Sequence, residues 1–272
     1  MVISELLNNL RKKLADNADF EARQIIMSAL KISQTDLIIN ANKAVNDNDL
    51  TNIFKLVSRR KNGEPLQYIL GSAEFMSLDF TVTPDTLIPR ADTETLVETV
   101  LNIIGSNHVS LLDIGTGSGC IGISIAHYKN ASVTLLDKSE KALEIAKKNA
   151  KKHNIQARFL NMDILENYPK EKFDIIVSNP PYIETDVIDT LQTEVKDHEP
   201  LSALDGGNDG LIFYRRIIKI APNMLNNGGV LAFEIGYNQG KAVYDLMQND
   251  FTGVEIIKDL CGNNRVVTGY LK

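Results

Sequence analysis

The 272-residue chain has no tryptophan, only two cysteines and only four histidines. Cys120 and Cys261 show no metal-ligand spacing, and His108, His127, His153 and His198 are scattered along the chain. This argues against a disulfide framework and a zinc site, and a reducing compartment is the expectation. There is no basic surplus either: 29 Lys and Arg stand against 35 Asp and Glu, a net charge of -6. Proteins that hold nucleic acid through its phosphates usually carry excess positive charge, so DNA or RNA is disfavoured as the direct substrate. No apolar run is long enough to span a bilayer. The opening stretch, residues 1–17, lacks the apolar core of a signal peptide. A cytoplasmic location without membrane attachment is expected. No internal repeat and no low-complexity tract is present, and no glycine precedes Gly63.

What remains is an ordinary globular composition, 43% hydrophobic and 24% charged, sufficient for one large or two modest domains. Residues 1–72 read as a helical bundle. Ile3, Leu6, Leu7, Leu10 and Leu14 share one helical face, and a second helix capped by Asp19 would bury Ala22, Ile25, Ile26 and Leu30. A third helical stretch, from Leu50 to Arg60, turns Ile53, Leu56 and Val57 inward. Beyond Gly63 the texture changes to turn residues and aromatics. Alternating Phe75, Leu78, Phe80 and Val82 predict a hairpin, so residues 73–90 read as a connector.

Residues 91–272 begin with a helix, Ala91 to Ile104, near whose start stand Asp92 and Thr93. Strands then alternate with helices. Strands are predicted at Ser110–Asp113, Val133–Asp137, Ala157–Leu160, Phe173–Ser178, Val230–Glu234, Val254–Lys258 and Val266–Leu271. Helices are predicted at Cys120–His127, Glu140–His153, Gly210–Ala221 and Gln239–Asn249. The alternation predicts an α/β, Rossmann-like fold: a mostly parallel seven-stranded sheet covered on both faces by helices. Only DLCGNNR separates the last two strands, too little for a parallel crossover, so the last strand should be antiparallel.

Chemistry concentrates at the ends of the predicted strands. The first, LLDIGTGSG, runs Asp113, Ile114, Gly115, Thr116, Gly117, Ser118, Gly119. Glycines there let backbone approach a ligand, and the following helix offers free N–H groups. The G-x-G-x-G spacing and the preceding carboxylate fit a cationic ligand such as S-adenosylmethionine better than a pyrophosphate. Asp137 ends the next strand at the offset of a ribose-binding acid, or else caps the helix beginning near Ser139. Asp163 and Ile164 follow the third strand, where the carboxylate would accept from the adenine amino group and Ile164 would pack on the ring. A helix-cap role for Asp163 is equally open.

The fourth strand end carries Asn179-Pro180-Pro181-Tyr182. Consecutive prolines fix φ and supply no competing N–H. The Asn179 side-chain oxygen and the Pro180 carbonyl can accept both hydrogens of one NH2 group, and Tyr182 can lie against its planar face. A conjugated nitrogen is a poor nucleophile. Holding both its hydrogens favours pyramidalisation, aims the lone pair at an electrophilic methyl and requires no metal.

These two motifs resemble those of class I methyltransferases that modify amide or exocyclic amino nitrogens. The resemblance extends further. Gly63 to Ile69, Glu74-Phe75, Leu87-Ile88-Pro89-Arg90 and Asp92-Thr93-Glu94 resemble the connector of the release-factor glutamine N5-methyltransferases. Glu199-Pro200, Ala203-Leu204, Gly206-Gly207, Asp209-Gly210, Phe233 to Gly236, and Asp259-Leu260 with Gly262-Asn263 and Arg265 fit as well. Only the helical opening matches by architecture more than by residues. The resemblance implies methyl transfer from S-adenosylmethionine, leaving S-adenosylhomocysteine, to the glutamine of the Gly-Gly-Gln loop in peptide-chain release factors. It implies that Gly115–Gly119 and Asp137 bind the cofactor and that Asn179 contacts both donor and amide. Pro180, Pro181 and Tyr182 would complete the amide pocket, and the helical domain would dock the protein substrate. Ile164 stands where relatives often place an aromatic against the adenine.

Arg90 either guides the substrate loop or forms a structural ion pair. Glu234 either lines the cofactor pocket or satisfies local backbone groups. The acidic stretch Ile183–Asp209 leaves the amide motif directly and should flank the cleft. The principal alternative is an N-methyltransferase acting on an exocyclic amino group of a nucleic-acid base. A cofactor-binding protein without chemistry and a nicotinamide oxidoreductase fit the motifs less well.

Overall fold

The helical opening folds around the stripes that its periodicity predicts. In the computed structural model, which describes residues 1–14 and 17–272, the chain divides into two units. The first holds Met1–Ser72 together with Thr193–His198. Its helices are α1 (Ile3–Arg11), α2 (Ala18–Leu30), α3 (Gln34–Ile39), α4 (Asp47–Lys61) and α5 (Leu66–Leu70). Leu6, Leu10, Ile25, Ile26, Ile53 and Val57 form its core, while Leu7 is only half-buried.

Three local readings change in this unit. Asp19 does not cap α2. Asn17 occupies that position at φ 58°, and Asp19 stands in the first turn, paired with Arg11 and Arg23. A carboxylate there still complements the positive end of the helix. Helix α3 was not predicted, although Ser33 and Asp36 form a capping box whose two reciprocal bonds are both 3.0 Å. Helix α5 replaces the expected turn texture, between Pro65 and Gly71, the latter at φ 76°. The remote piece Thr193–His198 carries α9 (Thr193–Lys196). Its Glu194 pairs with Arg60 at 2.6 Å, and Arg60 also holds Glu21 at 2.8 Å.

The second unit comprises Ala73–Gln192 and Glu199–Lys272. The hairpin pairs β1 (Ser72–Phe75) with β2 (Leu78–Thr81), turning at Met76 and Ser77, both at positive φ as a two-residue loop requires. It is more than a connector. Buried Asn149, in α8 (Glu140–Lys152), donates to the carbonyls of Thr81 (2.9 Å) and Ser118 (2.8 Å) and accepts from the Thr81 N–H (2.8 Å). One side chain therefore ties the hairpin to the glycine-rich turn.

The sheet contains β3 (Val109–Ile114), β4 (Ala131–Asp137), β5 (Ala157–Asn161), β6 (Phe173–Ser178), β7 (Leu225–Glu234), β8 (Phe251–Lys258) and β9 (Asn264–Leu271). Their order is β5-β4-β3-β6-β7-β9-β8. Strand β9 is antiparallel to both its neighbours, and the other neighbouring pairs are parallel. The period-two alternation of each strand splits the core into two layers. Leu111, Val133, Leu135, Ile175 and Val177 pack with α6 (Glu94–Ile104) and α7 (Cys120–Tyr128). Leu112, Leu136, Ile176, Leu231 and Phe233 pack with α10 (Ile212–Met224) and α11 (Gly240–Met247). Strand β7 starts five residues earlier than expected, at Leu225, through a register shift opposite Phe173 and Ile175. No helix among the described residues is long and apolar enough to cross a membrane.

The chain leaves β3 toward β4 and β5 on one side, then returns to β6 and β7 on the other. Open sheets bind ligands at the carboxyl ends of the strands where the order reverses in this way. Register completes the placement. Ile114 pairs with Leu136 on one side and Ser178 on the other, and Asp137 pairs with Asn161. Gly115, Asp137, Met162 and Asn179 therefore leave the sheet side by side.

Candidate active site

The glycine-rich turn is shaped by backbone that only glycine adopts easily. Gly115, Gly117 and Gly119 have φ of 71°, 55° and 85°. A Cβ on Gly119 would come within 2.6 Å of Ile123 Cδ1 and 3.3 Å of Ala146 Cβ, so the third glycine also lets α7 approach α8. Main-chain N–H groups of Gly115 and Thr116 both donate to the Leu136 carbonyl (2.8 and 3.0 Å). Those bonds fix the turn to the end of β4.

Asp113 does not face the ligand space. It is fully buried, and one oxygen accepts from the Thr116 hydroxyl (2.7 Å) and the Gly122 N–H (3.0 Å). It braces the turn from inside. Burial pushes its carboxyl up to about 6 against the pull of those two bonds. Thr116, Ser118 and Gly119 likewise build the turn without lining the cleft.

The cleft lies in the second unit and encloses about 740 Å³, its solvent mouth included. It brings together Gly115, Gly117, Asp137, Asp163, Ile164, Asn179, Pro180 and Pro181 from the sequence-predicted set. Asp137 accepts from the N–H groups of Gly117 and Ser139, each at 2.9 Å. Its two oxygens are thus held in place while spare lone pairs face the cleft. Burial raises its pKa despite those bonds. Ser139, not Asp137, caps α8, accepting from the Ala142 N–H at 3.1 Å. Asp163 caps a turn rather than a helix, through the Leu165 N–H at 2.9 Å.

At the other end, Asn179 donates its side-chain amide to Thr93 Oγ1 at 3.3 Å. Tyr182 is half-buried beyond the prolines and does not line the cleft. Its carbonyl accepts from Gln239 Nε2 at 3.0 Å, and burial pushes its phenol up to about 12. Arg90 also lies off the cleft. It pairs at 2.7 Å with Glu199, whose side chain is only 1% exposed, which realises the ion-pair alternative. Glu234 does not line the cleft either. It lies fully enclosed near Thr93 and Tyr182, and burial pushes it up to about 7.

Sequence reasoning missed part of the wall. Asp85, Thr86 and Leu87 arrive from the loop after the hairpin, Met162 from the end of β5, and Phe213 with Ile217 from one face of α10. The last pair, four residues apart, was visible as a helical stripe. Pro200, Ser202 and Ala203 line the cleft as well, so the returning limb of the acidic stretch flanks it.

The buried carboxyls have a stability consequence. A folded-state value above the unfolded one means the folded chain holds that proton more tightly. The resulting stability is full below the unfolded value and is lost as pH rises through the folded one. Asp113, at about 6, and Glu234, at about 7, both shift this way. The cofactor-free protein should therefore lose on the order of a few kcal/mol between about pH 5 and pH 7.5. Thermal melts across that window check this, and Asp113→Asn with Glu234→Gln should flatten the slope. A melting temperature rising through the window would refute it.

A seven-stranded sheet with this order and a cleft between the glycine turn and an Asn-Pro-Pro-Tyr loop define a class I methyltransferase. Family models agree at domain level. The "Methyltransferase small domain" matches residues 91–196 and the "PrmC N-terminal domain" matches residues 3–71. Among solved structures, a methyltransferase from Pyrococcus furiosus has a TM-score of 0.56 at 20% identity, covering 84% of this chain and 99% of its own. The 16S rRNA N2 G1207 methyltransferase of T. thermophilus has a TM-score of 0.52 at 18% identity, covering 74% and 50% respectively. At those identities the likeness is one of fold.

Sequence relatives are more specific. The release factor glutamine methyltransferase of Geobacter sulfurreducens is 41% identical over 96% of this chain and 92% of its own. That of Clostridium botulinum is 41% identical over 98% of both. The chain belongs to the release factor glutamine methyltransferase family.

Proposed function

We propose that the protein transfers a methyl group from S-adenosylmethionine to the side-chain amide nitrogen of the glutamine in the Gly-Gly-Gln loop of peptide-chain release factors. The observation that carries this reading is the cleft itself. At one end it has backbone-anchored carboxylates beside an apolar wall, and at the other the Asn-Pro-Pro loop. The fit to the cofactor rests on the donor set. Asp137 has lone pairs for ribose hydroxyls, Asp163 has one for an amino group, and Leu136, Met162, Ile164 and Phe213 offer an apolar surface for a ring. Gly115 and Gly117 permit close approach of the backbone. When bound, S-adenosylmethionine supplies a methyl carbon on a sulfonium and departs as S-adenosylhomocysteine.

The chain's own residues prepare the nucleophile. The Asn179 oxygen and the Pro180 carbonyl accept the two amide hydrogens of the glutamine. That weakens conjugation with the carbonyl and turns the nitrogen lone pair toward the cofactor end of the cleft. Tyr182 stands behind the prolines and backs the amide pocket without lining it. After transfer the nitrogen sheds one proton to water, so no buried base is required. The helical unit serves to dock the protein substrate. A cytoplasmic site of action suits a translation factor as substrate.

Incubating the protein with cofactor and purified release factor, then sequencing the loop peptide by mass spectrometry, tests the reading. One added methyl on the loop glutamine is expected. Methylation of nucleic acid in place of release factor would overturn the substrate. At the cofactor end, Asp137→Ala should weaken binding about 30-fold, since charged hydrogen bonds contribute roughly 1.5–3 kcal/mol. Calorimetric titration checks this, and unchanged affinity would remove Asp137 from the cofactor site.

A further inference from the structure

Three turns meet beyond the carboxyl ends of β6 and β7: the exit through Tyr182, the return from Gly206 to Gly210, and the turn from Gly236 into α11. One half-buried side chain, Gln239 at the start of α11, joins all three. Its Nε2 donates to the Tyr182 carbonyl at 3.0 Å and to the Gly210 carbonyl at 3.3 Å. Its Oε1 accepts from the Gly236 N–H at 3.0 Å, with the Tyr214 hydroxyl at 3.5 Å. Three of these partners are main-chain groups, two that only accept and one that only donates, so the sense of the amide is fixed. Glycines keep the space it needs. A Cβ on Gly210 would stand 2.6 Å from Nε2, one on Gly236 2.9 Å from Oε1, and one on Gly206 2.7 Å from Tyr182 Cα.

We propose that Gln239 is a positioning residue for methyl transfer. It pins the Tyr182 carbonyl to the approach to α10, and so sets where Asn179 and the Pro180 carbonyl stand relative to the cofactor end of the cleft. The proposal rests on the function proposed above and adds to it a residue outside the cleft. The connection runs through the main chain. Tyr182 follows Asn179 by three residues, and the two prolines between them fix φ and leave little slack. Gly210 leads into α10, whose Phe213 and Ile217 line the cleft. Beyond Tyr182, the Ile183 and Thr185 N–H groups donate to the Leu204 and Gly207 carbonyls at 3.0 and 3.1 Å, and the Gly206 N–H donates to the Ile183 carbonyl at 2.8 Å. Losing the Gln239 amide would loosen this pairing at its Tyr182 end and let the acceptors for the glutamine NH2 drift, while the glycine-rich turn and Asp137 stay in place.

The test compares Gln239→Met with Gln239→Glu. The first keeps the side-chain length and loses both ends of the amide. The second, assayed at alkaline pH, keeps an acceptor for Gly236 but donates nothing, because its carboxylate is ionised. Both should lower kcat about 10–10²-fold, since small misplacements of reacting groups carry losses of that order. The KM for release factor and the cofactor Kd should stay within about threefold of wild type. Hydrogen exchange reads the loop without any substrate. The Ile183, Thr185 and Gly206 amides should exchange at least about tenfold faster in both variants, with the α2 amides unchanged. Wild-type kcat in Gln239→Glu would show that the donor end of the amide is idle and would overturn the proposal. So would unaltered exchange at those three amides, or cofactor affinity falling in step with turnover, the mark of a general brace. A wild type that leaves release factor unmethylated would instead overturn the function, and the exchange rates would still decide whether Gln239 holds the loop.

Discussion

Asn179→Ala is expected to slow methyl transfer by about 10²–10³-fold with cofactor affinity nearly unchanged. The substitution removes one of the two acceptors proposed for the glutamine NH2 and leaves the backbone intact, because alanine before Pro180 tolerates the extended conformation. The Pro180 carbonyl alone can hold one hydrogen and leave the nitrogen conjugated. The cofactor end of the cleft, with Asp137 anchored on the Gly117 and Ser139 N–H groups, does not depend on Asn179. Single-turnover rates with release factor, set beside calorimetry with the cofactor alone, separate the two effects. Transfer persisting within tenfold would remove Asn179 from the amide pocket.

A comparable effect is expected from Gly210→Ala, away from the cleft. Gly210 has φ +68°, and a Cβ there would meet the Tyr182 carbonyl oxygen at 2.3 Å and Gln239 Nε2 at 2.6 Å. The Gln239 amide is the clamp on that carbonyl, at 3.0 Å, and also reaches the Gly210 carbonyl at 3.3 Å. Backbone cannot yield as a side-chain tip can, so the methyl must displace the loop that carries Tyr182. Strain and overpacking together should cost roughly 2–4 kcal/mol of stability. Turnover should fall further than stability explains, with cofactor binding spared. Gly71→Ala is the control: Gly71 also has positive φ, +76°, but nothing lies within 4 Å. It should cost only about 1 kcal/mol and leave turnover alone. Equal turnover losses in the two variants, measured with denaturation curves, would show that backbone strain rather than displacement of Tyr182 is responsible.

The parts of the site that sequence made legible are those written in local backbone chemistry. Gly115, Gly117 and Gly119 announce themselves because few other residues accept their dihedrals. Asn179-Pro180-Pro181 does so because prolines leave carbonyls uncontested. Asp137 followed from the spacing of one βαβ unit. What stayed hidden depends on which way a side chain turns or on what tertiary structure delivers. Asp113 was placed beside the ligand, yet sequence spacing cannot say whether a carboxylate at a strand end points outward or back into its own turn. Thr86, Ser202 and Phe213 come from three remote segments, and only the closed fold assembles them into one wall. Thr93 and Glu234 lie 141 positions apart in sequence. Their adjacency follows from α6 starting beside the carboxyl ends of β6 and β7. In the helical opening, the Ser33–Asp36 box was a legible signal that hydrophobic periodicity alone passes over.

The excursion of Thr193–His198 into the helical unit makes the protein hard to dissect. The chain crosses between the units at residues 72–73, 192–193 and 198–199, so no one scission separates them. A fragment begun at Ala73 would keep Glu194 but lose Arg60, its ionic anchor. Only a few bonds further on, Pro200, Ser202 and Ala203 form one bank of the cleft. Removing the amino-terminal helices would therefore slacken a wall of the cleft. Poor activity in such a fragment, even toward a free glutamine peptide, would then reflect a fraying loop.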